Sequence, residues 1–394
     1  MKKILTLLMT LCITTQLALA ANDVSFVYIN GSNNNDSKMK NWYENGVKKL
    51  HPVLRKKFLK NRTIKKYYSK LGGLDIKEEP VIFFWGYDSQ NDLNFVKGQL
   101  EISKMVSSSG AYLVRSLITQ YMHDAIWVQK PHNMKPILDD LNETVFEEAQ
   151  KGNSVVLYGY SAGTFVTYEY LFNKLTYINL LDLFTTLKLD NDFIEFVKNN
   201  PKKNTCLSAL EYSKIGTISS ARHLLVNPNR EMLKENYLKL DDVTDKVCAP
   251  KDKVAGVVNF ASPLPLFYSD MSDKDYEVNY YGNLLIKYIL EDGIFMLTIN
   301  FREDPLGFPT NRNLTIQDIS QILDIEIQNP SGVIYDNSGV WSKRMFPFAH
   351  TAYWNAKGTF SNAIVKSFVN GYKFQYDEKY QKRILKHHRK KYEL

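Results

Sequence analysis

Cysteine is scarce in this 394-residue chain, with only Cys12, Cys206 and Cys248. There is no His-Glu-x-x-His and no closely paired cysteine spacing, so the sequence offers no metal site and calls for no cofactor. Beyond the first twenty residues, no apolar run approaches the roughly 20 residues that a membrane span needs. Internal repeats and low-complexity tracts are also missing.

What is present begins with a leader. Lys2 and Lys3, an apolar run from Ile4 to Leu11, and Ala18-Leu19-Ala20 read as an export signal over residues 1–20, cleaved after Ala20. The expected location is periplasmic or secreted. Cys12 leaves with the leader, since bulky Leu11 before it spoils a lipoprotein box. The remaining 374 residues (394 less 20) suffice for one large domain or two small ones. In an oxidising compartment Cys206 and Cys248 can form a disulfide contributing about 3–4 kcal/mol. Two separate buried thiols are the alternative.

The formal charge of +8 falls to +6 without Lys2 and Lys3, and residues 379–394 alone carry seven Lys/Arg against one Glu. The body between sums close to neutral, which argues against a nucleic-acid-binding face on it. The basic tail reads as a solvated helix end or as a contact for an anionic membrane surface or polymer.

The most informative stretch is Ser154–Tyr170, SVVLYGYSAGTFVTYEY. A β-branched apolar run leads into Gly159-Tyr160-Ser161-Ala162-Gly163 and then a helix-like segment, the setting that gives Gly-x-Ser-x-Gly its meaning. Ser161 must sit on a turn sharp enough to lift its Oγ above the sheet edge. Side chains at Gly159 and Gly163 would strike the neighbouring strand and helix. The N–H of Ala162, at the helix start, can bind a developing oxyanion. A Gly-rich strand–helix turn without chemistry is the competing reading.

Other strand-like runs lie at 24–29, 81–86, 254–260 and 293–301, with a weaker one at 332–336. Helical patterns occupy about 37–70, 91–122, 134–151 and 360–370. Short apolar strands alternating with helices predict an α/β domain over 21–378 with a mostly parallel sheet flanked by helices. Residues 174–252 break the alternation and read as a cap or lid insertion. The C-terminal strand ends of such a sheet share one edge, where partners of Ser161 must lie.

Ser161 needs a base, and the base needs a group to orient it. His350 stands in an apolar loop, MFPFAHTAYWN, after the last strand signal and before the last helix. His223 falls in the cap and His387/His388 in the charged tail, so His350 is the favoured base, with a packed core histidine as the alternative. The run GIFMLTINF ends in Arg302-Glu303-Asp304-Pro305, where Asp304 is the favoured acid and Glu303 the second choice. After the first strand, the amide of Gly31 or Ser32 can supply a second oxyanion donor. Five glycosylation sequons, including those at Asn30 and Asn142, fit poorly with that role, because a glycan on Asn30 would obstruct the loop.

GYSAG at 159–163, NFASPLP at 259–265, NFREDPLGFP at 300–309 and HTAYW at 350–354 together resemble the α/β-hydrolases. Within them the chain is similar to the class 3 (fungal-type) lipases and their bacterial relatives. It departs from the usual class 3 elbow, which has His beside the serine and Leu after it. The resemblance implies an α/β-hydrolase fold with Ser161 as nucleophile, Asp304 as acid and His350 as base. It implies a carboxylic-ester or acyl-lipid substrate, with an acyltransferase or a non-catalytic binding protein as alternatives.

Overall fold

A computed structural model describes residues 23–32, 37–68, 74–86, 89–106, 126–171, 253–267, 279–309, 314–323, 326–342 and 348–384, with isolated positions within 108–124 and 192–200. The expected leader, Cys206, Cys248, His223, His387 and His388 lie outside the described residues, as does nearly all of the expected cap.

Seven strand segments form one sheet: β1 (Asp23–Ile29), β2 (Asp75–Ile76), β3 (Val81–Phe83), β4 (Ser154–Tyr160), β5 (Val254–Phe260), β6 (Phe295–Phe301) and β7 (Val333–Val340). The order is β2-β1-β4-β5-β6-β7, and β3 pairs with β1 beyond the end of β2. Every pairing is parallel, so all C-terminal strand ends meet at one edge. The helices are α1 (Ser37–Lys60), α2 (Arg62–Tyr68), α3 (Gln90–Val106), α4 (Pro131–Gln150), α5 (Gly163–Tyr170), α6 (Leu264–Phe267), α7 (Asn279–Glu291), α8 (Ile316–Leu323) and α9 (Lys357–Tyr376).

Strand residues alternate between two cores. Val27, Leu157, Val257 and Met296 pack with α4, α5 and α7 on one face. Phe26, Tyr158, Phe260 and Leu297 pack with α1 and α9 on the other. Both faces are therefore covered, which is why β4, β5 and β6 are almost continuously apolar. The chain is an α/β protein with a parallel sheet flanked by helices, as its alternation predicts.

Local chemistry moved several boundaries. The single helix expected over 37–70 is two, because the Asn61 side chain accepts the N–H groups of Thr63 and Ile64 and starts α2 afresh. The apolar run 81–86 is strand only to Phe83, since the Trp85 N–H turns to the Asn30 side chain at 2.9 Å. Strand β7 is longer than the expected 332–336, and α9 extends the expected 360–370 helix at both ends. Helices α7 and α8 had not been singled out from the sequence.

The aromatic face buries His51 of α1. Its Nε2–H donates to the Lys77 carbonyl at 2.9 Å, so Nδ1 accepts the Tyr28 hydroxyl at 3.1 Å. Burial pulls the imidazole below its usual pKa; the hydrogen bond to the Lys77 carbonyl opposes this, and nearby Arg55 adds to the lowering. The unfolded chain therefore binds this proton more readily than the folded one. Stability from this site is complete above about pH 6.5 and lost as pH falls toward the lower folded value, by at most about 1.4 kcal/mol per pH unit. Urea midpoints at pH 7.5 and 5.5 check this: the drop should shrink in His51→Gln.

Candidate active site

Four strand ends deliver the site. Ser161 follows β4, Gly31 follows β1, Asp304 follows β6 and His350 follows β7 in a 3-10 turn, Phe348–Thr351. Ser161 has φ of +52°, a left-handed backbone rare for a residue with a side chain. Its N–H is held by the Phe260 carbonyl at 3.0 Å, and its carbonyl accepts both the N–H and the hydroxyl of Thr164. The bend is thus fixed from both sides.

The elbow glycines are explained by contact. A Cβ on Gly163 would run into the carbonyl oxygens of Asn30 and Ile29. On Gly159 it would meet Asn259 Oδ1 at 2.8 Å and Thr167 Oγ1 at 2.9 Å. Helix α5 can approach the ends of β1 and β4 only because both positions are bare.

Ser161 Oγ lies 3.0 Å from His350 Nε2, and His350 Nδ1 lies 2.9 Å from Asp304 Oδ1. A carboxylate can only accept, so Nδ1 carries the proton and Nε2 is left to accept from the serine hydroxyl. The Asp304 side chain is fully buried, whereas the imidazole keeps 14% of its surface in solvent. Asp304 Oδ1 also accepts the Leu306 N–H at 2.9 Å, and Oδ2 accepts the Tyr353 hydroxyl at 2.8 Å. Burial, then the charge of Asp304, pushes Tyr353 well above the ordinary phenol range, which keeps it a donor. Glu303, the second choice for the acid, instead accepts the Ser342 N–H and pairs with Arg302.

Gly31 lies against the serine: a Cβ there would sit 2.8 Å from Ser161 Cβ. Asn30, wholly buried, pins this loop. Its Nδ2 donates to the Gly31 carbonyl at 2.8 Å, and its own carbonyl accepts the Trp85 indole N–H at 2.6 Å. With both carbonyls held, the peptide planes carrying the Gly31 and Ser32 N–H groups are set before any ligand arrives. The Ala162 N–H, on the other side of the serine, has no acceptor among the described residues. The Asn30 amide is therefore committed inside the protein, and buried Asn142 accepts the Tyr170 hydroxyl, so neither sequon asparagine is open to a glycan in the folded chain.

No family model matches this sequence, and no curated protein or solved structure shows significant similarity to it. The sequence named Ser161, Ala162, Gly31, Ser32, Asp304 and His350, and all six lie at the one strand-end edge.

Several positioning groups were missed. Tyr160 stacks on the His350 ring, centroids 5.6 Å apart, and donates its hydroxyl to the His350 carbonyl at 3.0 Å. Buried Asn300 accepts the Ser262 N–H and donates to the Phe308 carbonyl and Ser338 hydroxyl, tying the loops after β5 and β6 to strand β7 itself. Tyr353 lay inside a quoted motif, three residues after the histidine, yet nothing in the sequence said it would reach Asp304.

Proposed function

We propose that this protein is a serine hydrolase of the α/β-hydrolase type that cleaves carboxylic esters through an acyl-enzyme. The observation that carries the reading is the unbroken relay from Ser161 through His350 to buried Asp304, at 3.0 and 2.9 Å. A structural histidine has no need of a serine held at positive φ on one nitrogen and a buried carboxylate on the other. The parallel sheet, with Ser161, Asp304 and His350 each following the end of a strand, fits the same reading.

In the first half-reaction, Ser161 Oγ attacks the acyl carbonyl while His350 Nε2 takes its proton. Asp304 holds the imidazole in the required tautomer and stabilises the imidazolium. Charge develops on the carbonyl oxygen, which the Ala162 N–H and the Gly31/Ser32 loop amides can meet from two sides. His350 then returns the proton to the leaving alkoxide. In the second half, His350 activates water against the acyl-enzyme, and Ser161 is regenerated. No metal or cofactor enters any step.

The expected substrate is an acyl ester, with acyl lipid as the favoured class. A chain-length series of p-nitrophenyl esters tests it. Hydrolysis that rises toward long acyl chains supports the lipid preference, and turnover confined to acetate and butyrate supports a small-ester esterase. Absence of turnover across the series, with the protein folded, would count against the hydrolase reading itself.

A further inference from the structure

The near-neutral sum over the body conceals a sorting of charge by element. Residues 37–68 hold eleven Lys/Arg and one acid, Glu44, while residues 357–376 hold three lysines and no acid. These stretches are α1, α2 and α9, which cover one face of the sheet. Together they carry +13 in a chain totalling +8, leaving −5 for everything else. A layer this one-sided raises a positive potential on its own side of the molecule.

Within the layer, α1 and α9 pack through Phe58 and Phe368, and Lys57 donates to Asn362 at 2.5 Å. Beside this contact lies a groove of about 750 Å³. Lys56, Lys57, Lys60 and Lys366 rim it, Val365 and Val369 lie beneath, and no carboxylate lines it. None of the four lysines makes an ion pair among the described residues. Their neighbours behave differently: Arg55 reaches Asp75 at 3.3 Å and Glu78 at 3.5 Å, and Lys48 reaches Glu44 at 2.6 Å. Lys56, Lys60 and Lys366 are exposed, so the groove offers a cluster of positive charge over an apolar floor with no carboxylate lining it.

The chemistry of the rim selects the anion. Lysines act as point charges suited to phosphate, without the planar fork that reads base edges. Tyr376, half-exposed on α9, has its hydroxyl tied to the Gly332 carbonyl at 2.6 Å and its ring against Tyr372, and no aromatic side chain lines the lysine groove. Base stacking, the usual anchor for single-stranded nucleic acid, therefore has no platform within the groove. Phosphodiester headgroups above glycerol and acyl carbons match both the lysines and the valines.

We propose that the α1–α9 face docks on an anionic phospholipid surface, with Lys56, Lys57, Lys60 and Lys366 taking headgroup phosphates along the groove. The site stands apart from the serine relay and does not depend on ester chemistry.

Vesicle sedimentation with the full chain tests it, using phosphatidylcholine vesicles with and without about one-third phosphatidylglycerol. Wild type should bind the anionic vesicles, release from them as salt rises, and ignore neutral ones. Combining Lys56→Gln, Lys57→Gln, Lys60→Gln and Lys366→Gln should weaken binding at least about thirtyfold. The four corresponding Lys→Arg changes should stay within about threefold of wild type. All variants keep the C-terminal tail, so a contribution from it cancels, and circular dichroism checks folding. Undiminished binding by the Gln variant, equal binding to neutral vesicles, or tighter binding to duplex DNA at equal phosphate would each overturn the proposal.

Discussion

Asp304→Asn is expected to lower kcat for a p-nitrophenyl ester by about 10³–10⁴-fold while the protein stays folded. The reason is a proton location. The carboxylate accepts from His350 Nδ1 at 2.9 Å, which leaves Nε2 bare toward Ser161. Asparagine can present its NH2 to the ring instead, and the imidazole then carries its proton on Nε2, where a base is needed. The surrounding donors make this worse. Tyr353 and the Leu306 N–H are both aimed at Asp304, so the amide must turn its oxygen to one of them and its nitrogen toward the ring or a second donor. Steady-state kinetics with a parallel thermal melt check the outcome. A variant retaining more than about a tenth of wild-type kcat would mean that Asp304 does not set the tautomer.

Gly163→Ala is expected to destabilise the protein by about 3 kcal/mol, against the usual direction for glycine to alanine in a helix. Helix propensity alone favours alanine by about 1 kcal/mol. That gain is overwhelmed, because the new methyl would overlap the Asn30 carbonyl oxygen and lie 2.8 Å from that of Ile29. Both contacts are backbone, at the end of a central strand, and cannot swing aside. Relief requires α5 to retreat from β1. Such a shift would disturb Ser161 at the start of α5 and the Asn30–Gly31 loop together. Esterase activity should therefore fall even at temperatures where the variant remains folded. Chemical denaturation gives the stability change, and wild-type stability in the variant would contradict the close approach.

These two expectations show what could be read from residues in order. The elbow was legible because its requirements are local: a strand, two bare positions and a helix within seventeen residues. Asp304 and His350 were legible because each ends an apolar run or fills the loop before the last helix. Groups that act across the fold were not. Asn30 and Trp85 are 55 positions apart, and Asn300 meets partners on both sides of it, up to 38 away. A single asparagine in a sequence gives no sign that it will staple two loops to a strand. Charge failed for a related reason. A sum over the body averages α1, α2 and α9 against the acidic remainder, and only the packing of those helices on one face turns composition into a field.

The central claim is that His350 makes Ser161 a nucleophile, and its most direct test is covalent labelling with a fluorophosphonate probe. Intact mass should rise by a single phosphonyl group, mapped to the peptide holding Ser161 and absent in Ser161→Ala. Labelling should slow at least about 10³-fold in His350→Gln. A wild-type protein that takes no label, or a Ser161→Ala variant labelled as fast as wild type, would contradict the account.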